Sequence, residues 1–131
     1  MSEVLIDGFG STSNGEEFLK RVNLDGVTKV IATLQSSAPG GVADVTFVFK
    51  DNFKFTIRES FGMGYNGTGP TGLYYILVNK LGVSPEEAEK IHVPNTKELT
   101  FIINHDWKQS AKKLQIISAA FLVLKLVLSI R

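Results

Sequence analysis

Residues 45–57 have the sequence Val-Thr-Phe-Val-Phe-Lys-Asp-Asn-Phe-Lys-Phe-Thr-Ile, and this stretch decides the fold of the chain. On both sides of Asp51-Asn52, large apolar residues occupy every second position. Because successive side chains of a strand point to opposite faces, this alternation predicts two strands that share an apolar face. The dipeptide Asp-Asn is typical of a tight turn. The stretch therefore predicts an antiparallel β-hairpin with an aromatic inner face and a two-residue turn, at the centre of a sheet.

Further strands are expected before and after this hairpin. Runs rich in β-branched or apolar residues predict strands at residues 4–6, 27–35 and 98–104, and the second hairpin strand is expected to cover residues 53–59. Residues 36–41, Ser-Ser-Ala-Pro-Gly-Gly, interrupt the pattern and predict a loop. Together with the hairpin, these runs predict an antiparallel sheet.

Three short helices are predicted between the strands. The first begins at a capping box formed by Ser13 or Asn14, each followed three residues later by glutamate. The second covers residues 73–81 and ends before Gly82. The third begins at Ser84, which is followed by proline and two glutamates. Strands interspersed with helices in this order indicate a single α+β domain that covers residues 1–131.

The composition is that of an ordinary globular protein. Hydrophobic residues make up 44% of the chain, and 14 basic side chains nearly balance 13 acidic ones. Because no segment is basic enough to follow a phosphate backbone, nucleic acid is not expected as a partner. The absence of cysteine excludes disulfides, thiolate metal sites and cysteine nucleophiles, and it favours a cytoplasmic location. No basic region with a long apolar run opens the sequence, so we expect no signal peptide.

The second distinctive stretch is Gly62-Met63-Gly64-Tyr65-Asn66-Gly67-Thr68-Gly69-Pro70-Thr71-Gly72, which we call the glycine loop. It holds five of the 12 glycines and lies between a predicted strand and a predicted helix. Backbone N–H groups at the start of a helix have no acceptor within the helix, and the helix dipole there favours negative charge. The glycine loop therefore predicts a site for an anionic small molecule, of which a nucleotide is one example.

Two nucleotide-binding motifs resemble parts of the glycine loop, but neither fits. Residues 62–67 match G-x-G-x-x-G, yet the predicted helix starts well after the last glycine, whereas the dinucleotide motif begins its helix within the motif. Gly64 and Gly69 have the spacing of a Walker A loop, but Pro70 stands where that motif needs a lysine. The sequence therefore names no cofactor.

Each candidate ligand-binding residue has a role that its side chain or backbone allows. Tyr65 could stack on a flat ligand, Thr68 could donate from its hydroxyl, and Arg58 could pair with a negative charge. Glycines offer backbone N–H groups without a side chain in the way. In the alternative interpretation, the loop only turns the chain so that the next helix packs on the hairpin. The predicted binding residues are Arg58, Gly64, Tyr65, Asn66, Gly67, Thr68, Gly69 and Thr71.

No arrangement of acids and bases predicts catalysis. The two histidines are His92 and His105, and Asp106 directly follows the second. Because adjacent residues on a helix or strand point apart, this pair does not form a catalytic dyad by itself. No spaced carboxylate pair accompanies the histidines, so no metal site is predicted. A non-catalytic protein is therefore expected more than an enzyme.

Residues 114–130, from Leu114 to Ile130, are apolar apart from one narrow polar stripe. A single helix over residues 106–130 is predicted, and it must be surrounded on most sides. The core of the domain, a bundle with copies of itself in a homo-oligomer, or a membrane that holds it as a tail anchor would each surround it. We favour the homo-oligomer, and the membrane least. The stripe consists of Gln115, Ser118, Lys125 and Ser129.

These observations lead to two hypotheses of function. In the first, the protein is a non-catalytic binding module that holds an anionic small molecule at residues 62–72 and assembles as a homo-oligomer. In the second, it is a structural or interaction subunit of a homo-oligomeric or membrane-associated assembly, and the glycine loop has no small ligand.

Overall fold

The computed structural model describes residues 3–6, 11–35 and 41–104 of the chain. They form a five-stranded sheet in the order β1-β4-β3-β2-β5, which confirms the α+β class. α2 continues as a π turn and α3 as a 3₁₀ turn, over Ile76–Lys80 and Glu89–His92 respectively. The helices are α1 (Thr12–Arg21), α2 (Thr68–Tyr75) and α3 (Pro85–Ala88). The strands are β1 (Glu3–Ile6), β2 (Val27–Leu34), β3 (Val42–Phe49), β4 (Lys54–Gly62) and β5 (Glu98–Ile102).

The predicted hairpin is present as β3 and β4. Phe47 pairs with Phe55, and their rings stack with centroids 4.9 Å apart. The turn between the strands has three residues instead of two, because the N–H of Phe49 donates to the carbonyl of Phe53 at 2.8 Å. Asn52 closes this turn with φ of 67°, a left-handed conformation that asparagine tolerates better than most residues.

The sheet is mixed, so the prediction of a purely antiparallel sheet is wrong for one strand. β1 runs parallel to β4, with Glu3 opposite Lys54, whereas the other three strand pairs are antiparallel. β1, α1 and β2 form a strand–helix–strand crossover, which returns the chain to the same end of the sheet and makes β1 and β2 parallel. Since β2 and β4 are both antiparallel to β3, β1 must also be parallel to β4.

Two helices begin earlier than the sequence predicts. The hydroxyl of Ser11 accepts a hydrogen bond from the N–H of Asn14 at 3.1 Å and caps α1, so the predicted caps lie inside the helix. α2 begins at Thr68, within the glycine loop. Pro70 then lies in the first turn of α2. An N–H group there has no acceptor within the helix, so the missing N–H of proline costs no hydrogen bond.

Two helix ends have the predicted local signals. The hydroxyl of Ser84 accepts from the N–H of Glu87 at 3.2 Å and caps α3. Gly82 has φ of 71°, the left-handed conformation expected after the preceding helix. The N–H of Val83 donates to the carbonyl of Leu77 at 2.9 Å, which satisfies an acceptor at the end of that helix.

All three helices pack on one face of the sheet, which we call the inner face. Phe18 of α1 contacts Phe55 with ring centroids 6.1 Å apart, and Leu73 of α2 lies in the same buried cluster as the strands. Phe47 and Ile57, at the centre of this cluster, are fully buried. Burying a side chain of this size stabilises the fold by about 1.5–3 kcal/mol. The inner face is therefore the hydrophobic core.

The predicted helix at residues 106–130 lies outside the described residues. The predicted interruption at residues 36–41 also lies outside them, apart from Gly41. Within the described ranges, no helix has both the length and the hydropathy that a membrane span requires.

Candidate functional site

β4 is distorted by a bulge just before the glycine loop. Val45 lies opposite Ile57 and Ala43 lies opposite Phe61, so one residue of β3 faces the three residues 58–60 of β4. Glu59 takes φ of 65° within this bulge. Beyond the bulge, Phe61 lies opposite Ala43, and the strand runs three residues further than the sequence predicts, to Gly62.

The glycine loop wraps around the ring of Tyr65. A Cβ atom placed on Gly41 or Gly62 would lie 2.7 Å from the ring or hydroxyl of Tyr65, and one on Gly67 would lie 2.6 Å from the ring. A Cβ on Gly69 would lie 3.0 Å from the same hydroxyl. Carbon atoms pack best at about 3.5–4.0 Å, so any larger residue at these positions would displace the ring. Four glycines therefore leave the space that this aromatic side chain occupies.

Several backbone N–H groups of the glycine loop already have acceptors within the protein. The N–H of Gly64 donates to the carbonyl of Ile91 at 2.7 Å, and the N–H of Met63 donates to the carbonyl of Gly41 at 2.9 Å. The N–H of Thr71 donates to the carbonyl of Gly67 at 3.0 Å. Donation from Gly64 or Thr71 to a ligand, as the sequence predicts, would have to replace these bonds. The bonds of Met63 and Gly64 tie the loop to Gly41, directly before β3, and to the 3₁₀ turn after α3, whereas the bond of Thr71 lies within the loop.

A pocket of about 560 Å³ lies beside Tyr65, and we call it the Tyr65 pocket. Tyr65 is 38% exposed, so part of its ring remains accessible although the glycines cover the rest. Most of the wall is apolar, and it combines the ends of β2 and β4 with the turn before β5. The described residues that line the pocket are Leu34, Gly41, Met63, Gly64, Tyr65, Asn95, Thr96 and Lys97.

The turn before β5 supplies the polar groups of the Tyr65 pocket. Asn95 has φ of 66°, and the hydroxyl of Thr96 donates to the carbonyl of Val93 at 2.8 Å. The carbonyl of Lys97 accepts from the N–H of Leu34 at 2.8 Å, which ties the turn to the end of β2. Among the described lining residues, Lys97 carries the one charged side chain. The pocket therefore combines an apolar wall, an aromatic ring and a single positive charge.

A second cavity of about 550 Å³ lies at the N-terminus of α2, and we call it the α2 hollow. The carboxylate of Glu16, from α1, projects to Gly72, where an added Cβ would lie 2.5 Å from its Oε1. A carboxylate at this position repels an anion that approaches the first N–H groups of α2. The described lining residues are Glu16, Gly67, Thr68, Thr71, Gly72 and Tyr75.

The structure distributes the predicted binding residues among separate places. The Tyr65 pocket contains two of them and the α2 hollow contains three, with Gly69 buried between the two cavities. Asn66 is exposed. Arg58 directly follows the inward-facing Ile57 and is the first of the three residues of the bulge. The residues in the Tyr65 pocket are Gly64 and Tyr65, and those in the α2 hollow are Gly67, Thr68 and Thr71.

Comparison with known proteins assigns no further roles to these residues. No protein-family model, curated protein or solved structure matches this chain. The role of each residue therefore rests on its geometry.

Sequence reasoning did not identify Asn95 and Lys97 as candidate site residues. Both lie far from the glycine loop in the sequence, and the fold brings them to the loop through the pairing of β5 with β2. The dipeptide Pro94-Asn95 was the available signal, since it is typical of a turn. A turn signal does not indicate which surface the turn will face.

His92 has the surroundings of a packed side chain. Its Nδ1 lies 3.2 Å from Oε1 of Glu89, and its ring centroid lies 5.9 Å from that of Tyr74. Within residues 3–6, 11–35 and 41–104, no three histidine, aspartate or glutamate side chains lie close enough to share a metal ion. His105 and Asp106 lie outside the described residues.

Proposed function

We propose that this protein is a non-catalytic binding module that holds a small anionic molecule with a flat apolar part in the Tyr65 pocket. The observation that carries the proposal is the position of Tyr65, which four glycines accommodate beside a pocket that Lys97 also lines. The proposal keeps the anionic ligand predicted from the glycine loop, but it places the negative charge of that ligand at Lys97.

The size and shape of the Tyr65 pocket support a small ligand. Its volume of about 560 Å³ falls within the range of about 300–1,000 Å³ that is typical of small-molecule sites. A binding surface that is already rigid loses little conformational entropy when a ligand arrives. The ring of Tyr65 lies against Gly41, Gly62 and Gly67, and none of these residues has the Cβ atom that would displace it.

The distribution of charge favours the Tyr65 pocket over the α2 hollow for an anion. Lys97 supplies a positive charge at the Tyr65 pocket, whereas Glu16 supplies a negative charge at the α2 hollow. Lys97 is exposed, so we expect it to contribute modestly to affinity and to orient the ligand. Asn95 and Thr96 offer further polar groups to the same part of the ligand.

The first experiment tests where small anions bind. We would titrate ¹⁵N-labelled protein with a panel of small aromatic phosphates and carboxylates, and with their neutral amide counterparts, and follow amide chemical shifts by NMR. The expected result is that shifts produced by the anions cluster at Gly64, Tyr65 and Thr96, and that the neutral counterparts bind more weakly. Shifts that cluster instead at Thr68 and Thr71 would contradict the proposal, as would the absence of any cluster.

A matched pair of lysine variants tests the role of charge. Lys97→Gln should weaken binding of the anionic probes several-fold, up to about tenfold, which corresponds to about 1.4 kcal/mol. Lys90→Gln is the control, because Lys90 is equally exposed but bonds Glu87 at 3.0 Å on α3, outside the Tyr65 pocket. Equal effects of the two variants would show that the lysine acts only through the net charge of the protein.

A second candidate function is a structural or interaction subunit without a small ligand. Leu5 and Ile102, on the face opposite the helices, are 58% and 73% exposed, and this observation favours a macromolecular contact. Assembly as a homo-oligomer through residues 114–130 and a cytoplasmic location stay predictions. Native mass spectrometry of full-length protein purified without detergent would give both the subunit number and the mass of any co-purified molecule.

A further inference from the structure

The face of the sheet opposite the helices carries an apolar strip, and we call this face the outer face. The register places Leu5 opposite Thr56, Thr56 opposite Thr46, and Thr46 opposite Ile31, in one row across four strands. The next row contains Val48 and the exposed Ile102, with Lys29 between them and with Lys54 and Glu3 beyond Val48. None of the three helices contributes to this face, because α1, α2 and α3 all place their buried side chains in the inner cluster.

The two threonines in the middle of the outer face share one hydrogen bond. Their Oγ1 atoms lie 2.8 Å apart, and one hydroxyl donates to the other. Covering the pair leaves this hydrogen bond intact, and only the hydroxyl hydrogen of the accepting threonine then needs a further acceptor. Thr56 is only 6% exposed. The row from Leu5 to Ile31 can thus be covered by an apolar element at the cost of at most one unpaired hydroxyl hydrogen.

Residues 114–130 are the segment of this chain with the composition to cover the outer face. Seventeen residues in a helix extend about 25 Å, and five strands side by side span about 24 Å. β5 is an edge strand that ends at Ile102, so the chain leaves the sheet at its border. The residues between Ile103 and Leu114 can reach about 35 Å when extended, enough to bring the segment to either face.

We propose that residues 114–130 dock on the outer face of the sheet of their own chain, in place of the homo-oligomer that the sequence favours for this segment. The inner face does not need this segment, since α1, α2 and α3 already bury Phe47 and Ile57 completely. In the docked arrangement the apolar side chains of the segment meet Leu5, Ile31 and Ile102. The polar stripe that contains Gln115 and Lys125 stays in water. This inference does not depend on the Tyr65 pocket and adds a third layer to the fold.

The absence of cysteine in the chain makes a direct test possible. In full-length protein purified without detergent, Thr33→Cys and Thr100→Cys would each place a thiol at an exposed position of the outer face. Each would be combined with Ala119→Cys or Ala120→Cys and treated with a short bismaleimide. The control pairs use Ser13→Cys, which is exposed on α1 at the other side of the sheet.

A mixture of ¹⁴N- and ¹⁵N-labelled protein distinguishes linkage within a chain from linkage between chains. We expect linkage within one chain, at about ten times the yield of the control pairs, because a docked thiol has a high effective concentration. Linkage between light and heavy chains would overturn the proposal and assign the outer face to a second copy. Yields equal to those of the control pairs would also overturn it, and so would protein that is recovered only in detergent.

Discussion

The two ends of β4 are built in opposite ways. At its start, β4 and β3 form a hairpin in which large rings fill the space, and Phe47 stacks on Phe55 at 4.9 Å. At its end, the glycine loop leaves space open, and the ring of Tyr65 fills it from within the loop. The hairpin gains stability from apolar side chains that the sequence pattern displays. The glycine loop depends on the absence of side chains around one ring, and its contacts are specified by residues such as Gly41 that are distant in sequence.

The largest expected effect concerns the hairpin end. Phe47→Ala removes a fully buried ring and its stacking partner for Phe55, so the free energy of unfolding should fall by about 3–5 kcal/mol. Urea unfolding followed by circular dichroism would measure this change. Phe53→Ala is the control at the same end of the hairpin. Because Phe53 is only partly buried, this variant should lose clearly less free energy of unfolding. Equal losses in the two variants would contradict the assignment of the core.

A double-mutant cycle tests the glycine end. The three atoms nearest to an added Cβ on Gly67 all belong to the ring of Tyr65, and the φ of 178° at Gly67 suits any residue. Gly67→Ala should therefore lower the free energy of unfolding by about 1–3 kcal/mol, and most of this loss should disappear in a Tyr65→Ala background.

Gly64→Ala provides the contrast for this cycle. Gly64 has φ of 87°, and the nearest atom to an added Cβ is the carbonyl oxygen of Val93 at 3.8 Å. Gly64→Ala should lower the free energy of unfolding by about 1–2 kcal/mol, because alanine is strained in this backbone conformation. Tyr65→Ala should therefore not relieve this loss. If the two glycines respond alike to Tyr65→Ala, the glycine loop does not hold the ring in the proposed way.

The smallest effect is expected in the turn of the hairpin. Because Asn52 has φ of 67°, Asn52→Ala should lower the free energy of unfolding by about 1 kcal/mol. Asn52→Gly should leave the free energy of unfolding unchanged or raise it slightly. Thermal unfolding of the unchanged protein and of the two variants would rank their stabilities. A destabilised Asn52→Gly would mean that the side chain of Asn52, and not its backbone conformation, is what the turn requires.

Local patterns predicted the parts of the fold whose causes are local. The alternation in residues 45–57 gave the hairpin, and the Ser-Pro-Glu-Glu sequence gave the start of α3, because each depends on neighbours in the chain. The direction of β1 could not be predicted from its four residues, since it depends on the crossover through α1. The start of α2 at Thr68 was not predicted either, because the glycines of the loop disfavour a helix there.

The candidate site was predicted only in part, because some of its residues come together through contacts between distant parts of the chain. Tyr65 stands out in the sequence because glycines flank it, and it does line a pocket. Lys97 reaches the same pocket through the pairing of β5 with β2, which no local pattern encodes. Arg58 was expected near the loop because it precedes it closely. Arg58 lies at the start of the bulge and is not among the described residues that line either cavity.

The parallel pairing of β1 has a consequence for the order of folding. Glu3 meets Lys54 only after the chain between them has been closed into a loop, whereas β3 and β4 meet across three residues. Because closing a long loop costs more entropy than closing a short one, β1 should join the sheet after the hairpin has formed. Its amide protons should then exchange with solvent faster than those of β3 and β4. When β1 detaches, the edge of β4 becomes open to the same strand of a second molecule, so this short segment is the piece that two chains would exchange.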